Sequence, residues 1–486
     1  MSDLRKLTPA PIWKYFEEIC SIPRLSKNEE KIRQYLVEFA KKNNLEYKQD
    51  NAGNILILKP AFPGMENRKT VVLQSHMDMV GEKNADYPHN WSTDPIIPVV
   101  NDAWVSAKGT TLGADDGIGV AAQMAVLTDK TLRAGKIECL FTVDEETGMT
   151  GAINLMPDFF TGRTLLNLDS EDEGILFIGC AGGIDTVGTM NYETVPVKNN
   201  SSALEISVTG LHGGHSGDEI HKGYGNAVKI MTRILRNISN QFDISVANFD
   251  GGNLRNAIPR EAFATIVLNA AKGDAIKSLI DTFYSTLIEE YGELEKDLKV
   301  LWKEAGLPSV TMDKKNQEKF LNALSCCPHG VMAWSQDMDD LVETSTNLAS
   351  AKFSDNNTIR IITTQRSSVE SSKYDACDMV ESCLNLAGAE VEHSDGYPGW
   401  KPNLKSEILR ITRKSYLELF GKEPMVRAIH AGLECGLIYE KIKNIDMISF
   451  GPTIRGAHTP EEMIEIKTVQ MFWDLLLDVV TNMPVK

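Results

Sequence analysis

Two adjacent aspartates, Asp115 and Asp116, lie in the glycine-rich run TLGADDGIG (residues 111–119), and a helical pattern of apolar residues follows directly. Glycines let the backbone approach a bound group closely, and negative charge is stabilised at a helix N-terminus. A carboxylate such as that of Asp115 can bridge two metal ions. If it does, the remaining ligands should come from the chain on both sides of it.

Candidate ligands do occur on both sides, in the order His76 and Asp78, Glu145 and Glu146, Asp169, and finally His458. Two divalent ions carry about four positive charges, which imidazoles and carboxylates must partly balance. Asp115, Glu146 and Asp169 would supply three negative charges beside neutral His76 and His458. The positive charge that remains would bind hydroxide and polarise a carbonyl group, as in a two-metal hydrolase.

Two further acids are then free for other roles. Asp78 lies two residues after His76, on the same face of a strand, where it can orient the imidazole through its second ring nitrogen. Glu145 is the spare carboxylate, and we expect it to take a proton from a metal-bridging water and pass it to the leaving amine. Each motif alone is more often an ordinary cap or surface group, but their joint order favours the metal site. His212, His215 and His430 are second-rank candidates.

Composition restricts the class of protein. The 486 residues favour two domains. The net charge of −17 argues against nucleic-acid and anionic-membrane partners. No apolar run reaches the length of a membrane span, and Met1–Lys6 leads into no signal-peptide core. The eight cysteines form no C-x-x-C pair, so we expect buried, reduced thiols in a cytoplasmic protein.

The candidate ligands follow apolar strands. His76 lies near the end of the strand pattern in 69–80, Glu145 follows the pattern in 136–143, and Asp169 follows the one in 164–168. Ligands of open α/β sheets gather at the carboxyl ends of the strands. Neighbouring residues on a strand point oppositely, so Glu145 and Glu146 can converge only if their strand has ended.

Capping patterns predict two helix starts. Residues 9–44 should form two helices, the second capped by Ser26 with Glu29 as its capping-box partner. Near the C-terminus, Thr459 as N-cap, proline at the next position and Glu462 at N3 predict the start of the last helix. His458 would then lie just before a helix.

The pattern of predicted strands and helices changes at about residue 191 and again at about residue 396. Residues 191–395 alternate strand and helix patterns as an inserted α+β domain would, although 298–338 carry no pattern that we could assign. Residues 1–190 and 396–486 would together form the catalytic α/β domain with a central mixed sheet.

Several motifs together resemble one family. They are SHMDMV (75–80), LGADDGIG (112–119), DEETG (144–148), NLDS (167–170), GLHGGHSG (210–217), GNLRNAIP (252–259), HAGLECG (430–436) and GAHTPE (456–461). With them, nearly the whole chain resembles the two-zinc peptidase clan that includes carboxypeptidase G and the aminoacylases. Within that clan, the chain is most similar to the dipeptidases that act on aminoacyl-histidine.

The resemblance implies a zinc-peptidase-like catalytic domain interrupted by a lid domain that also forms a homodimer. It implies that Asp115 bridges two divalent ions, with zinc expected and manganese or cobalt as alternatives. Glu146 and His458 would complete one ion, and His76 and Asp169 the other. The peptide bond from Asp115 to Asp116 is expected to be cis.

The resemblance also assigns substrate-binding residues to the lid. His215 would stabilise the oxyanion. Asn256 and Arg366 would bind the substrate carboxylate. Gly432, which lies outside the lid in the segment 396–486, would also bind the substrate. Arg366 is the least direct of these assignments because this lid is larger than in simpler members of the clan.

The sequence therefore predicts a metallo-dipeptidase acting on small peptides, Xaa-His and β-alanyl-histidine among them. One alternative is an N-acyl amino-acid amidohydrolase on the same scaffold. A second is an aminopeptidase of the related two-zinc type, which would accept long peptides. A third is a catalytically silent metal- or peptide-binding protein, although such a protein would be expected to lack Glu145, which is present.

Overall fold

The computed structural model describes residues 3–486, with side chains from Leu4 onward. Met1 and Ser2, where part of the signal-peptide expectation falls, lie outside the described residues. The chain divides into two compact units. The first contains the residues up to Cys180 together with Trp400–Ala428 and Leu433–Lys486, and the second contains Ala181–Gly399 and Ile429–Gly432.

Helices occur in both units. In chain order they are α1 (Ala10–Cys20), α2 (Glu30–Lys42), α3 (Ala114–Thr128), α4 (Glu145–Gly148), α5 (Thr150–Asn154), α6 (Ala227–Ser239), α7 (Gly273–Tyr291), α8 (Lys314–Cys326), α9 (Glu370–Leu386), α10 (Glu407–Phe420), α11 (Glu434–Lys441) and α12 (Ile466–Thr481). Among the described residues, no helix is long and apolar enough to cross a lipid bilayer.

The strands of the first part of the chain are β1 (Glu46–Gln49), β2 (Ile55–Lys59), β3 (Val71–His76), β4 (Pro98–Asn101), β5 (Trp104–Ala107), β6 (Ile137–Thr142), β7 (Thr164–Asn167), β8 (Ile175–Cys180), β9 (Gly182–Asn191), β10 (Thr194–Pro196) and β11 (Ser201–Thr209). The remaining strands are β12 (Ile244–Gly251), β13 (Ala262–Asn269), β14 (Lys299–Ala305), β15 (Val310–Met312), β16 (Gly330–Trp334), β17 (Val342–Ser354), β18 (Thr358–Ser367), β19 (Glu390–His393), β20 (Met425–Ile429), β21 (Asp446–Ser449), β22 (Ile454–Arg455) and β23 (Met463–Glu465).

The first unit is built on a mixed sheet of eight strands in the order β1-β2-β6-β3-β7-β21-β8-β20. Strand β3 is buried at every position and pairs in parallel with β6 and β7. An apolar strand of this kind suits the middle of a covered sheet. Because β3, β6 and β7 are parallel neighbours, their carboxyl ends lie at one edge of the sheet. The candidate ligands follow these strand ends.

Two helix starts differ from the prediction. Helix α2 begins at Glu30 without a side-chain cap, and Ser26 Oγ instead donates a hydrogen bond to Asp78 Oδ2 at 2.8 Å. The last helix begins at Ile466, so the segment after His458 is a turn rather than a helix. Glu462 accepts hydrogen bonds from the backbone of residues 112–115 instead of closing a capping box. In both places a distant partner replaces the local one.

The second unit contains a nine-stranded sheet with the order β14-β11-β13-β12-β17-β18-β9-β19, to which β16 adds through β17. Its pairings are antiparallel. Helices α6 and α8 contribute to its apolar core. The region without an assignable pattern, 298–338, supplies β14, β15, α8 and β16. The second unit begins before β9, because that strand pairs with β18 and β19.

The eight cysteines, all among the described residues, form no disulfide bonds. Six of them are buried, Cys383 is half-buried and Cys326 is exposed. The prediction of burial is confirmed except at Cys326 and, in part, Cys383.

A buried histidine of the second unit should make stability depend on pH. Burial lowers the pKa of His329 to about 4, and its Nδ1 accepts a hydrogen bond from the Leu348 amide at 3.3 Å. The unfolded chain gains a proton near pH 6.5 but the folded one does not, so stability falls as pH drops from there toward the folded pKa. We expect the His329 contribution to fall by about 2 kcal/mol between pH 7 and pH 5.

Urea unfolding of wild type and His329→Gln at the two pH values measures this contribution. The variant should lose less stability on acidification than the wild type. His221→Gln changes an exposed histidine of the same unit and should behave as the wild type does. Equal pH dependence in wild type and His329→Gln would contradict the expectation.

Candidate metal centre

Asp115 lies at the start of α3, after a glycine that turns the chain. Gly113 has a φ of 68°, a left-handed conformation that residues with a Cβ rarely adopt. A Cβ there would also lie 2.5 Å from Nη2 of Arg24 and 2.8 Å from Sδ of Met79. Glycine is therefore required both for conformation and for space. The peptide bond between Asp115 and Asp116 is cis, which confirms that prediction.

The two oxygens of Asp115 face two different imidazoles. Oδ1 lies 3.0 Å from Nε2 of His76, and Oδ2 lies 3.2 Å from Nε2 of His458. His76 Nε2 is also 3.3 Å from Oδ1 of Asp169. His458 Nε2 is also 2.9 Å from Oε2 of Glu146. Asp115 thus stands between a His76–Asp169 pair and a His458–Glu146 pair.

These side chains form overlapping groups with the spacing of metal ligands. Donor atoms of His76, Asp115 and Asp169 lie within 4.8 Å of one another, and so do those of Asp115, Glu146 and His458. Asp115 belongs to both groups. A further group joins His76 with Glu145 and Glu146. Mixed imidazole and carboxylate donors suit zinc and similar divalent metals.

The charges of the cluster also fit cations. Burial raises the pKa of Asp169 well above its usual value, and neighbouring Asp115 and Glu145 add to this against the opposing effect of His76. Burial likewise raises the pKa of the Glu145 carboxyl group to about 8. Ionised carboxylates this close repel each other, and bound divalent cations would relieve the repulsion. The residues present therefore fit metal ions.

Asp78 lies behind His76, away from the Asp115 side of the ring. Its Oδ1 is 3.4 Å from His76 Nδ1, and its oxygens accept hydrogen bonds from the amides of Glu145 at 3.1 Å and Glu146 at 3.3 Å. Burial opposes ionisation of Asp78, but the interactions with His76, Ser26 and Glu145 outweigh it and lower the pKa to about 2. Asp78 is thus an anion that links the His76 ring to the paired glutamates.

Comparison with known proteins gives the cluster a family context. The family model described as Peptidase family M20/M25/M40 matches residues 72–482. The chain belongs to this peptidase family. It is 43% identical over 486 residues to the cytosol non-specific dipeptidase of Escherichia coli (strain K12), and the match covers the whole of both chains.

Solved structures agree with this assignment. The aminoacylhistidine dipeptidase from Vibrio alginolyticus superposes with a TM-score of 0.94 at 44% identity, covering 100% of this chain and 99% of that one. The aminopeptidase PepT from Bacillus cereus ATCC 10987 shares the fold, with a TM-score of 0.56 at 16% identity over 98% of both chains. The predicted family and the predicted α/β class with a central mixed sheet are confirmed.

In this M20 peptidase, His215 and Asn256 lie together in the second unit. The amide of Ser216 donates a hydrogen bond to the Asn256 carbonyl at 2.8 Å, and His215 forms a β-bridge with Ala257. The Asp218 amide donates to His215 Nδ1 at 3.1 Å. An imidazole that accepts at Nδ1 carries its hydrogen on Nε2. Because Nδ1 also lies 3.2 Å from Oδ2 of Asp218, both contacts with Asp218 involve this nitrogen, and Nε2 is the ring nitrogen left for another partner.

Arg366 is a buried cation of the second unit. The residue is 6% exposed, and Nη1 donates to the Tyr397 hydroxyl at 2.8 Å, whereas Nε has no hydrogen-bond partner among the described residues. Burial lowers the pKa of His430 to about 3, and the positive charge of Arg366 adds to the effect. Gly432 belongs to the same unit through the segment Ile429–Gly432.

Near the candidate ligands, the role of Arg24 was missed in the sequence analysis and Glu462 was misassigned. Arg24 is buried and donates hydrogen bonds to the Met77 and Asp78 carbonyls at 3.1 and 2.6 Å. Glu462 was assigned to a helix cap but contacts the loop before Asp115. A lone arginine in the stretch IPRLS (22–26) has no pattern that would distinguish it from a surface residue.

Proposed function

We propose that this chain is a metal-dependent dipeptidase that holds two divalent cations, zinc ions in our proposal, between Asp115 and the two flanking pairs. Asp115 with His76 and Asp169 would bind one cation, and Asp115 with Glu146 and His458 the other. The observation that supports this most directly is the division of the Asp115 carboxylate, which turns one oxygen to each histidine at 3.0 and 3.2 Å.

The cations, when bound, supply Lewis-acid polarisation of the scissile carbonyl and lower the pKa of water. Glu145 takes a proton from the attacking water and delivers it to the nitrogen of the leaving amine. Asp78, whose Oδ1 lies 3.4 Å from His76 Nδ1, would keep the hydrogen on that nitrogen and so direct the Nε2 lone pair toward the cation site. His215 donates from Nε2 to the oxyanion that develops on the carbonyl oxygen.

The second unit supplies the groups that recognise the peptide. Arg366 and Asn256 would bind the substrate carboxylate, with Gly432 lining the same subsite. A guanidinium fork matches a carboxylate in geometry and charge. The buried Arg366, with a free Nε, supports this role. Such a clamp sets a fixed distance from the C-terminal carboxylate to the scissile bond, which favours dipeptides.

Other activities on this scaffold have less support. The full-length relative at 43% identity is named a dipeptidase, so an N-acyl amino-acid amidohydrolase is not favoured. The likeness to an aminopeptidase at 16% identity concerns the fold alone. A silent binding protein would not need Glu145 beside two ligand groups.

The proposal extends to location and assembly. The name of the Escherichia coli relative places that protein in the cytosol, and we propose the cytoplasm for this chain as well. We also propose a homodimer formed through the second unit, the lid and dimerisation domain of the family resemblance. The substrates would be small peptides, including Xaa-His and β-alanyl-histidine.

A panel of small peptides tests the carboxylate clamp. Ala-His should be cleaved, whereas its C-terminal amide should show kcat/KM lower by about 10- to 100-fold, since a charge-assisted hydrogen-bonded pair is lost. Tripeptides should be poor substrates because their carboxylate lies too far from the first peptide bond. N-acetyl-alanine tests the amidohydrolase alternative in the same assay. Stripped enzyme supplied with zinc, manganese or cobalt identifies the metal that supports activity.

Arg366→Lys provides the matched variant, because it keeps the charge but removes the fork. It should raise KM for Ala-His and leave the poor rate on Ala-His amide unchanged. Arg360→Lys, on the same strand at an exposed position, serves as the control. Equal rates on Ala-His and its amide in the wild type would contradict the clamp.

A further inference from the structure

We propose that Arg24 and Glu462 are positioning residues for the metal centre, two buried side chains of opposite charge that bind the same loop and fix the place of Asp115. The inference rests on the proposed metal-dependent function. It assigns to both residues a role in metal affinity, exerted through the backbone rather than through contact with the cation.

The Glu462 carboxylate binds the loop by accepting hydrogen bonds from the backbone amides of the loop. Its Oε2 accepts hydrogen bonds from the amides of Leu112 at 2.8 Å and Gly113 at 2.9 Å, and its Oε1 accepts from Ala114 at 2.7 Å. A longer contact of 3.4 Å reaches the amide of Asp115 itself. The Glu462 residue is 2% exposed. One carboxylate thus serves four successive donors at the start of α3, where a negative charge is also stabilised by the helix dipole.

Arg24 binds the same loop through a carbonyl group. Its Nη2 donates to the Gly113 carbonyl, while its Nη1 donates to the carbonyls of Met77 at 3.1 Å and Asp78 at 2.6 Å. The residue is 3% exposed. The guanidinium therefore connects the segment that follows His76 with the loop that precedes Asp115. A planar fork with several donors is suited to such a connection, and an ammonium group is not.

Gly113 forms hydrogen bonds with both charged side chains. Its amide donates to Glu462, and its carbonyl accepts from Arg24. The glycines at 113 and 117 leave room for this, since a Cβ at either would lie 2.5 or 2.6 Å from Arg24 Nη2. The guanidinium packed against Gly113 and Gly117 therefore explains part of the glycine-rich character of residues 111–119.

Glu462 also restrains the segment that carries His458. It follows His458 by four residues, and the turn between them is closed by a hydrogen bond from the Glu462 amide to the Thr459 carbonyl at 3.1 Å. His458 itself has a left-handed φ of 63°. Anchoring Glu462 on the Asp115 loop therefore limits where His458 can lie relative to Asp115. Burying a charged side chain costs free energy unless the charge is fully hydrogen-bonded. Here the Arg24 guanidinium and the Glu462 carboxylate both form their hydrogen bonds with the backbone of segments that carry candidate ligands.

Zinc affinity of the stripped protein provides the test. We would titrate wild type, Glu462→Gln and Glu461→Gln with zinc in competition with a chromophoric chelator. Glutamine offers one acceptor oxygen and turns an NH₂ group toward backbone donors, so Glu462→Gln should bind zinc about 10- to 100-fold more weakly, as loss of outer-sphere partners does elsewhere. Glu461 is an exposed neighbour of the same type, and its variant should bind as the wild type does.

Conservative variants and a second readout separate positioning from simple destabilisation. Glu462→Asp keeps the charge with a shorter reach and should recover part of the affinity. Arg24→Lys should also weaken zinc binding. The double variant Arg24→Lys/Glu462→Gln should lose less zinc affinity than the product of the two single-variant losses, because both side chains bind the same peptide unit. In cobalt-loaded protein the visible absorption spectrum should change in Glu462→Gln. With saturating metal, kcat for Ala-His should fall while KM stays unchanged.

The outcomes distinguish this inference from the proposed function. If wild type binds zinc tightly and cleaves dipeptides while Glu462→Gln matches it in affinity and cobalt spectrum, the positioning role is wrong and the function stands. If wild type itself binds no divalent metal, both are wrong. Should Glu462→Gln fail to fold, as judged by circular dichroism of the stripped protein, Glu462→Asp and Arg24→Lys carry the same comparison, and wild-type affinity in both overturns the inference.

Discussion

Replacing Glu145 with glutamine is expected to leave both metal ions bound and to lower kcat by about 10²- to 10⁴-fold. The substitution keeps the size of the side chain but removes its capacity to accept a proton. Glu145 lies outside the two ligand groups that share Asp115, whereas Glu146 Oε2 lies 2.9 Å from His458 Nε2. Glu146→Gln should therefore lose metal affinity as well as rate.

Bound zinc per chain and steady-state rate on Ala-His, measured on the same samples, check this division of roles. Glu440→Gln, at an exposed position of α11, is the matched control and should keep both. His76, Glu145 and Glu146 also form a group with ligand spacing. Glu145 could therefore be the ligand and Glu146 the base, and the same measurements test this opposite assignment. If Glu145→Gln loses its metal and Glu146→Gln keeps it, the two roles are reversed.

The candidate ligands could be found from the sequence because they follow directly on recognisable strands. His76 ends β3, and Glu145 and Asp169 lie a few residues after β6 and β7. Parallel neighbours bring their carboxyl ends together whatever else the chain does. Linear order and the period of apolar residues were therefore enough to bring these three ligand-bearing segments to one edge of the sheet.

The groups that hold these segments in place could not be found in the same way. Ser26 and Glu462 both match a capping rule, yet Ser26 donates to Asp78 and Glu462 accepts from the loop at 112–114. A capping rule compares only residues three or four positions apart. It cannot register a partner that is distant in sequence and satisfies the same oxygen with more donors.

Element boundaries in the second unit show a related limit. Strands β14 to β16 lie in a region whose alternation is weak, and β14 borders the sheet with exposed residues such as Leu301. An edge strand buries less of one face, so its period of two is faint in the sequence. The inclusion of Ile429–Gly432 in this unit likewise depends on long-range pairing, as between the Ala181 amide and the Ala431 carbonyl at 3.0 Å.

His215→Ala is expected to be nearly inactive by itself, with zinc content unchanged. The side chain is about one-third exposed, with 33% of its surface accessible, and the Asp218 amide occupies its Nδ1. Nε2 is the ring nitrogen left for an oxyanion, and loss of one oxyanion donor lowers kcat by about 10²- to 10³-fold. His221→Ala, which removes an exposed histidine of the same unit, should keep full activity and serves as the control.

The proposed dimer makes a sharper prediction, that His215 of one subunit acts on the metal centre of the other. His215→Ala and Glu145→Gln, each nearly inactive alone, should then restore activity when their subunits are mixed. In a mixed dimer the His215→Ala subunit offers an intact metal centre, and the Glu145→Gln subunit offers the histidine that completes it. With random exchange, roughly half of the dimers are mixed and one of their two sites is complete, so about a quarter of wild-type activity should return.

The mixing experiment requires that exchange be demonstrated on the same sample, for which differently tagged subunits and two successive affinity columns suffice. The doubly tagged fraction isolates mixed dimers, and its specific activity should approach about half that of the wild type, because one of two sites is complete. A mixture of wild type with the double variant His215→Ala/Glu145→Gln separates the alternatives further. If His215 acts across the dimer, each mixed dimer of that pair has no complete site, since one subunit lacks the base and the other site lacks its histidine. If His215 acts within its own chain, the wild-type subunit stays active in dimers with the double variant. In that case the mixture of His215→Ala with Glu145→Gln recovers no activity.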